Sequence, residues 1–150
     1  GMIGGQVADL EAERKTLDPD QAETLLALLE FIHTNKTGRL ITASVLLGGL
    51  LGGASEAQLT HLETYGRSIG LAFQIVDDLL DIEGSSESLG KTAGKDLAQG
   101  KLTYPALAGP DHARARLASL LAAAEESADM IGGSVNNLAA MARYICERKH

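Results

Sequence analysis

The chain has 150 residues, enough for one domain with a hydrophobic core, and its 45% content of hydrophobic residues excludes a disordered chain. Aromatic residues make up only 3%, and the abundance of Ala, Leu and Gly favours packed helices over a β-sandwich. The formal net charge of −7 argues against nucleic acid as a partner, although a basic cluster or a bound metal can still create a local anion site.

The cysteine count and the hydropathy pattern bear on the compartment. Cys146 is the single cysteine, so no intramolecular disulfide can form, and the N-terminal residues show no signal-peptide pattern. The longest uncharged run, Leu40 to Ser55, is shorter than the roughly 20 residues that a membrane span needs. We therefore expect a cytoplasmic protein without a transmembrane helix.

Capping and helix-ending residues divide the chain into predicted helices. A first long helix ends at Gly52 and Gly53, and the capping sequence SEAQ at 55–58 opens a second, which reaches about residue 83. Residues 84–101, rich in Gly, Ser and Lys, predict a long mobile loop. Three shorter helices follow around 102–108, 111–131 and 134–148. No strand pattern occurs, so the sequence predicts an all-α fold.

In the first long helix, HTNKTGRL at 33–40 places a lysine in an apolar sector. That sector consists of Leu25, Leu29, Ile32, Leu40, Leu47 and Leu50, with Lys36 near its middle. Lys36 therefore either extends its ammonium to solvent or meets an anion. Thr37 follows it, and its hydroxyl is a donor for phosphate oxygens.

The second long helix carries a polar seam on an otherwise apolar rod. Residues 74–82 read QIVDDLLDI, and an ideal helix places the three aspartates within an arc of about 100°. The polar seam consists of Arg67, Gly70, Gln74, Asp77, Asp78 and Asp81. Neighbouring carboxylates repel one another, so something must neutralise them. Oxygen ligands without His or Cys suit Mg²⁺ better than Zn²⁺, and Mg²⁺ typically joins such carboxylates to substrate phosphates. The alternative is a solvated acidic face without a metal.

Four blocks of the sequence together resemble a known family. GMIGGQVAD, HTNKTG, FQIVDDLLDIEG and LGKTAGKD…GKLTYPAL are similar, in order, to the C-terminal half of trans-isoprenyl diphosphate synthases of the farnesyl or geranylgeranyl diphosphate synthase type. The resemblance implies an all-α isoprenoid-synthase bundle around a cavity. It also implies Mg²⁺-dependent condensation of an allylic diphosphate, dimethylallyl or geranyl, with isopentenyl diphosphate, releasing pyrophosphate.

The resemblance assigns roles to the polar seam and to the lysine block. It implies that Asp77, Asp78 and Asp81 hold Mg²⁺ against the allylic diphosphate. It also implies that Lys36 and Thr37 contact the same diphosphate.

Further roles follow from the same resemblance. Gln74 corresponds to a catalytic glutamine beside the reacting allylic carbon, and Lys91 to a diphosphate-binding lysine on a mobile active-site loop, residues 84–101. Gln6 and Asp9, which also lie one helical turn apart, correspond to a substrate-binding block that lines the cavity.

The chain departs from the family in lacking a first aspartate-rich motif and an Arg-Arg pair before the polar seam. We therefore expect residues 1–150 to be the C-terminal part of a single prenyltransferase domain. Such a chain exposes apolar helix faces, which favours a homodimer or other self-association. The alternatives are a non-catalytic subunit of a prenyl synthase and a class I terpene cyclase. The KTG and GKTAGKD blocks disfavour the terpene cyclase.

The expected truncation generates a test. The 150-residue chain alone should show little condensation of labelled isopentenyl diphosphate with an allylic diphosphate, because half of the substrate chamber is absent. Product extraction and counting measure this, and full turnover would contradict the expectation.

Overall fold

The computed structural model describes residues 1–12, 21–87, 102–132 and 137–148, and for residues 83–87 it describes the backbone alone. The helices in chain order are α1 (Met2–Ala12), α2 (Ala22–His33), α3 (Arg39–Leu51), α4 (Glu56–Glu87), α5 (Tyr104–Ala108), α6 (Pro110–Ile131) and α7 (Asn137–Glu147). All regular structure in this part of the chain is helical, which confirms the predicted all-α class.

The start of α4 follows its capping sequence. Ser55 N donates to Gln58 Oε1 at 3.0 Å, and Gln58 N donates to Ser55 Oγ at 3.3 Å. Gln58 Nε2 also donates to the carbonyl of Ile131 at 2.9 Å, which ties the start of α4 to the end of α6.

The predicted start of the loop at residue 84 is wrong, since α4 continues to Glu87. A single glycine costs a helix only about 1 kcal/mol, and the serines and glutamate that follow Gly84 tolerate helical geometry. The remainder of that loop, residues 88–101, lies outside the described residues.

Helices α2 and α3 are joined by a π-helical turn, Thr34–Gly38, without a break in the helical rod. Asn35 Nδ2 donates to the carbonyl of Phe31 at 2.8 Å, and Thr42 Oγ1 donates to the carbonyl of Gly38 at 2.8 Å. These side chains donate hydrogen bonds to backbone carbonyl groups near the two ends of the π turn, where the regular helical hydrogen bonds are disturbed.

The single apolar sector predicted for this rod is wrong. Its members before the π turn are buried, but Leu40, Leu47 and Leu50 beyond the turn are 58%, 59% and 57% exposed. One additional residue in a π turn rotates the following residues by about 100° relative to an ideal helix. Helix α3 then packs against α4 through a different side, which includes Thr42 and Gly49.

Glycines allow α4 to approach the π turn and α3 closely. A Cβ atom on Gly70 would lie 2.7 Å from the Cα atom of Gly38, and one on Gly66 would lie 2.8 Å from the Cα atom of Thr42. Both distances are shorter than any ordinary carbon contact, so no larger residue fits without moving a helix. This contact brings Lys36 and its neighbours opposite the polar seam.

Helix α4 contributes to both apolar clusters of the core. The first cluster joins it to α1, α2, α6 and the segment before α5, with Leu29, Ile32 and Ile75 almost fully buried. The second joins it to α6 and α7 around Tyr65. Tyr65 Oη donates to the carbonyl of Leu138 at 2.8 Å, and burial raises the pKa of Tyr65 to about 12.

Apolar side chains also cover parts of the surfaces of α1 and α3. Ile3 is 80% exposed and Leu51 is 90% exposed, which agrees with the expected exposed helix faces. Among the described residues, no helix combines the length and the apolar character that crossing a bilayer requires.

Alanine substitutions at two glycines, one inside the contact between α4 and the π turn and one outside it, should change the stability of the fold in opposite directions. Gly70→Ala should lower the free energy of unfolding by about 1–3 kcal/mol, because its Cβ meets backbone atoms of Gly38. Gly48→Ala is the matched control: a Cβ there meets nothing within 4 Å. It should raise the free energy of unfolding by about 0.5–1 kcal/mol through helix propensity. Urea denaturation followed by circular dichroism measures both, and a neutral Gly70→Ala would contradict the close packing.

Candidate active site

A cavity of about 550 Å³ opens between α1, the π turn and α4. It is lined by Asp9, Ile32, His33, Lys36, Thr37, Gln74, Asp77, Asp78, Leu80, Asp81 and Leu102. The lysine of one helical rod and the aspartates of its neighbour therefore share one cavity. Their convergence agrees with the sequence prediction, while the roles given to the individual residues stay predictions.

Among the described residues, one predicted site residue lies away from the cavity wall. Gln6 is exposed on α1 and does not line the cavity. The reason is helical phase: Gly5 and Asp9, four residues apart, share the inner face of α1, and Gln6 is turned away from Gly5 by about 100°. Lys91 lies outside the described residues.

Helix α1 lies directly against the π turn. A Cβ atom on Gly5 would lie 2.3 Å from the backbone nitrogen of Lys36, so only glycine fits at that position. One turn further along α1, Asp9 forms an ion pair with the Lys36 ammonium. Their side chains are 16% and 31% exposed respectively, so Lys36 meets an anion rather than extending freely into solvent.

Asp78 is the buried member of the aspartate group, with 8% of its surface exposed. The backbone nitrogen of Tyr104 donates to Asp78 Oδ2 at 2.8 Å, and His33 Nε2 lies 3.7 Å from the same oxygen. The pKa of the Tyr104 side chain is raised, first by burial and then by the nearby carboxylate of Glu30.

Asp77 is more exposed and is paired with Arg148, the residue that directly follows α7. The guanidinium of Arg148 donates to Asp77 Oδ1, donates to the carbonyl of Phe73 at 3.1 Å, and lies 4.1 Å from the centre of the Phe73 ring. Gln74 Nε2 approaches the other oxygen of Asp77 at 3.4 Å. Asp81 is half-buried and lies one turn further along α4 in the cavity wall.

Partners within the protein therefore neutralise part of the polar seam, and the role of a bound metal stays a prediction. The protein itself supplies Arg148 to Asp77, and the Tyr104 amide together with His33 to Asp78. Sequence reasoning missed these partners. His33 could have been found, because it precedes Lys36 and Thr37 by three and four residues on one helix face. Arg148 lies far along the chain, and no sequence pattern connects it to Asp77.

The comparisons with known proteins agree with this geometry. The family model described as polyprenyl synthetase matches residues 1–138 of the chain. Geranylgeranyl pyrophosphate synthase 10, mitochondrial, of Arabidopsis thaliana is 43% identical over 153 residues, which cover 100% of this chain and 43% of that protein. The chain therefore spans less than half the length of this relative.

Solved structures share the helical fold. The geranylgeranyl pyrophosphate synthetase from Pyrococcus horikoshii Ot3 superposes with a TM-score of 0.82 at 26% identity, over 99% of this chain and 55% of that chain. The geranyltransferase from Helicobacter pylori, complexed with magnesium and isoprenyl diphosphate, superposes with a TM-score of 0.69 at 28% identity, over 98% of this chain and 46% of that chain. The family match over most of the sequence and the common fold show that this chain belongs to the polyprenyl synthetase family.

Proposed function

We propose that this chain is part of a Mg²⁺-dependent prenyltransferase of the farnesyl or geranylgeranyl diphosphate synthase type. It would condense dimethylallyl or geranyl diphosphate with isopentenyl diphosphate, giving a longer prenyl diphosphate and pyrophosphate. The observation that carries the proposal is the cavity in which Lys36 and Thr37 face the aspartates of α4. The name of the Arabidopsis relative, a geranylgeranyl pyrophosphate synthase, supports it.

The donors of the π turn would bind the allylic diphosphate. The Lys36 ammonium and the Thr37 hydroxyl donate to its oxygens, and both interactions strengthen as negative charge builds on the departing diphosphate. Lys91 would add a second ammonium. Gln74, whose amide is held near Asp77, would lie beside the reacting allylic carbon.

The apolar part of the cavity would protect the cationic carbon from water. Ile32, Leu80 and Leu102 line the cavity between the polar groups. An allylic cation reacts with water, so a wall without hydroxyl or amide groups favours attack by the double bond of isopentenyl diphosphate instead. The proton released in that addition would pass to the departing diphosphate.

The donor set of the cavity fits Mg²⁺. Asp77, Asp78 and Asp81 supply carboxylate oxygens, the ligands that Mg²⁺ prefers. No three His, Cys, Asp or Glu side chains in the described part of the chain gather into a closed metal site, so substrate oxygens would complete the coordination. When bound, Mg²⁺ supplies positive charge that makes diphosphate a better leaving group. The magnesium and isoprenyl diphosphate of the Helicobacter pylori geranyltransferase support this assignment.

Compartment and assembly are part of the same proposal. We expect a cytoplasmic protein that self-associates as a homodimer. Burial raises the pKa of the Cys146 thiol to about 11, so the thiol is unreactive at neutral pH and is compatible with a reducing compartment. The exposed apolar side chains of α1 and α3 support association with a second chain.

A thermal-shift experiment tests the site. Mg²⁺ with inorganic pyrophosphate, at about 100 times the Kd, should stabilise the chain by about 2.7 kcal/mol, which is roughly 5–10 °C in Tm. Asp77→Ala should abolish the shift. Asp111→Ala, which removes an exposed carboxylate outside the cavity, is the control and should preserve it. An equal shift in Asp77→Ala would remove the metal role from α4.

The ion pair between Arg148 and Asp77 generates a second test, because a divalent cation must compete with Arg148. Arg148→Gln should lower the free energy of unfolding by about 1 kcal/mol through loss of the ion pair and the contact with Phe73. It should also lower the Mg²⁺ concentration that half-saturates pyrophosphate binding. Arg143→Gln loses a surface pair between α7 and Glu125 of α6, away from the cavity, and should leave that concentration unchanged. An unchanged or higher half-saturating Mg²⁺ concentration in Arg148→Gln would contradict the competition.

A further inference from the structure

The apolar wall of the cavity depends on residues that do not line it, and the inference drawn from them rests on the proposed function. We propose that Glu30 and Arg116 are positioning residues. Through the Tyr104 hydroxyl they hold Leu102 in the cavity wall, against the hydrocarbon part of a prenyl diphosphate. Leu102 lines the cavity, whereas Glu30 and Arg116 do not.

Leu102 is held in place differently from the other apolar residues of the cavity. Ile32 and Leu80 belong to α2 and α4, whose hydrogen-bonded backbones fix their positions. Leu102 precedes α5, and of the described residues that line the cavity it alone lies outside a helical segment. Its position therefore depends on the attachments of the residues that follow it.

Tyr104 supplies those attachments two residues later. Its backbone nitrogen donates to Asp78 Oδ2 at 2.8 Å, which attaches the segment to α4. Its ring is buried, with 1% of the residue exposed, and its Oη donates to Glu30 Oε1 at 3.1 Å, which attaches the segment to α2. Pro105 follows and restricts the backbone dihedral angle φ. Tyr104 is therefore fixed both by its backbone and by the far end of its side chain.

Arg116 orients the carboxylate that accepts the Tyr104 hydroxyl. Its Nε lies 3.1 Å from Glu30 Oε1, and its Nη2 lies 3.4 Å from Oε2, so both oxygens are engaged. The side chains of Arg116 and Glu30 are 36% and 32% exposed, so their ion pair adds little to the stability of the whole fold. Burial and then the Glu30 carboxylate raise the pKa of Tyr104, which keeps its hydroxyl a donor at neutral pH.

Matched substitutions separate positioning from general stability. Tyr104→Phe removes the hydroxyl and keeps the ring. Glu30→Ala removes the acceptor, and Glu30→Gln restores an oxygen at the same place. Tyr65→Phe is the control, because it removes a tyrosine hydroxyl that is bonded to the carbonyl of Leu138 in the second apolar cluster, away from the cavity.

Calorimetric titration with two ligands, geranyl diphosphate and inorganic pyrophosphate, each with Mg²⁺, measures the effect on the wall. The Kd for geranyl diphosphate divided by that for pyrophosphate should rise about threefold to tenfold in Tyr104→Phe, Glu30→Ala and Arg116→Ala. In Glu30→Gln it should return to within about twofold of the value for the unsubstituted chain. Tyr65→Phe should lower the free energy of unfolding and leave the ratio unchanged.

A double variant tests whether Arg116 acts through the hydroxyl. Arg116→Ala combined with Tyr104→Phe should raise the ratio no further than Tyr104→Phe alone, since residues of one network are not additive. Additive effects would contradict a role through Tyr104. An unchanged ratio in Tyr104→Phe, or an equal rise in Tyr65→Phe, would overturn the positioning role.

Hydrogen exchange keeps this inference separate from the proposed function. The amide of residue 104 should exchange about threefold to tenfold faster in Tyr104→Phe and Glu30→Ala, relative to the amide of Ile75 in the middle of α4. If the unsubstituted chain bound neither ligand with Mg²⁺, the proposed function would fall, and the exchange rates alone would decide on the attachment of this segment. Equal relative exchange in the three chains would refute it.

Discussion

The backbone contact between the π turn and α4 determines where the charged groups of the cavity lie. Gly38 and Gly70 meet with no side chain between them, so the two rods approach more closely than helices with larger residues at their contact. Gly5 allows α1 the same approach from the other side of the π turn. Lys36 and Thr37 therefore face α4 across a short gap. A wider gap would leave room for water in place of a diphosphate.

The cavity is acidic, yet several of its charged groups already have partners within the protein. Lys36 pairs with Asp9, Arg148 pairs with Asp77, and the Tyr104 amide supports Asp78. Carboxylates buried without partners would destabilise the fold, and these contacts remove most of that cost before any ligand arrives. Under the proposed function, binding of a metal and a diphosphate would then be an exchange of partners. The affinity depends on the difference between two sets of contacts, not on the strength of one set.

Helix periodicity and capping residues were sufficient to predict most of the helices after α1 and the grouping of the aspartates on α4, because both depend on spacing along one element. Periodicity failed where geometry departs from an ideal helix: the π turn displaced Leu40 and its neighbours from the predicted apolar sector. It also failed for partners distant in the chain. Tyr104 is 26 residues from Asp78, and Arg148 is 71 residues from Asp77, so tertiary packing alone brings them together.

The π turn has a consequence for how this segment varies among related chains. Five residues, Thr34–Gly38, form the turn, and the phase of α3 relative to α2 depends on their number rather than on their identity alone. Removing one would rotate Thr42 and Gly49 away from α4 and place bulkier side chains at the contact. A deletion in the turn therefore disturbs the whole contact between α3 and α4, whereas a substitution disturbs only the contacts of the substituted residue. Related sequences should show a constant length here even where their letters differ.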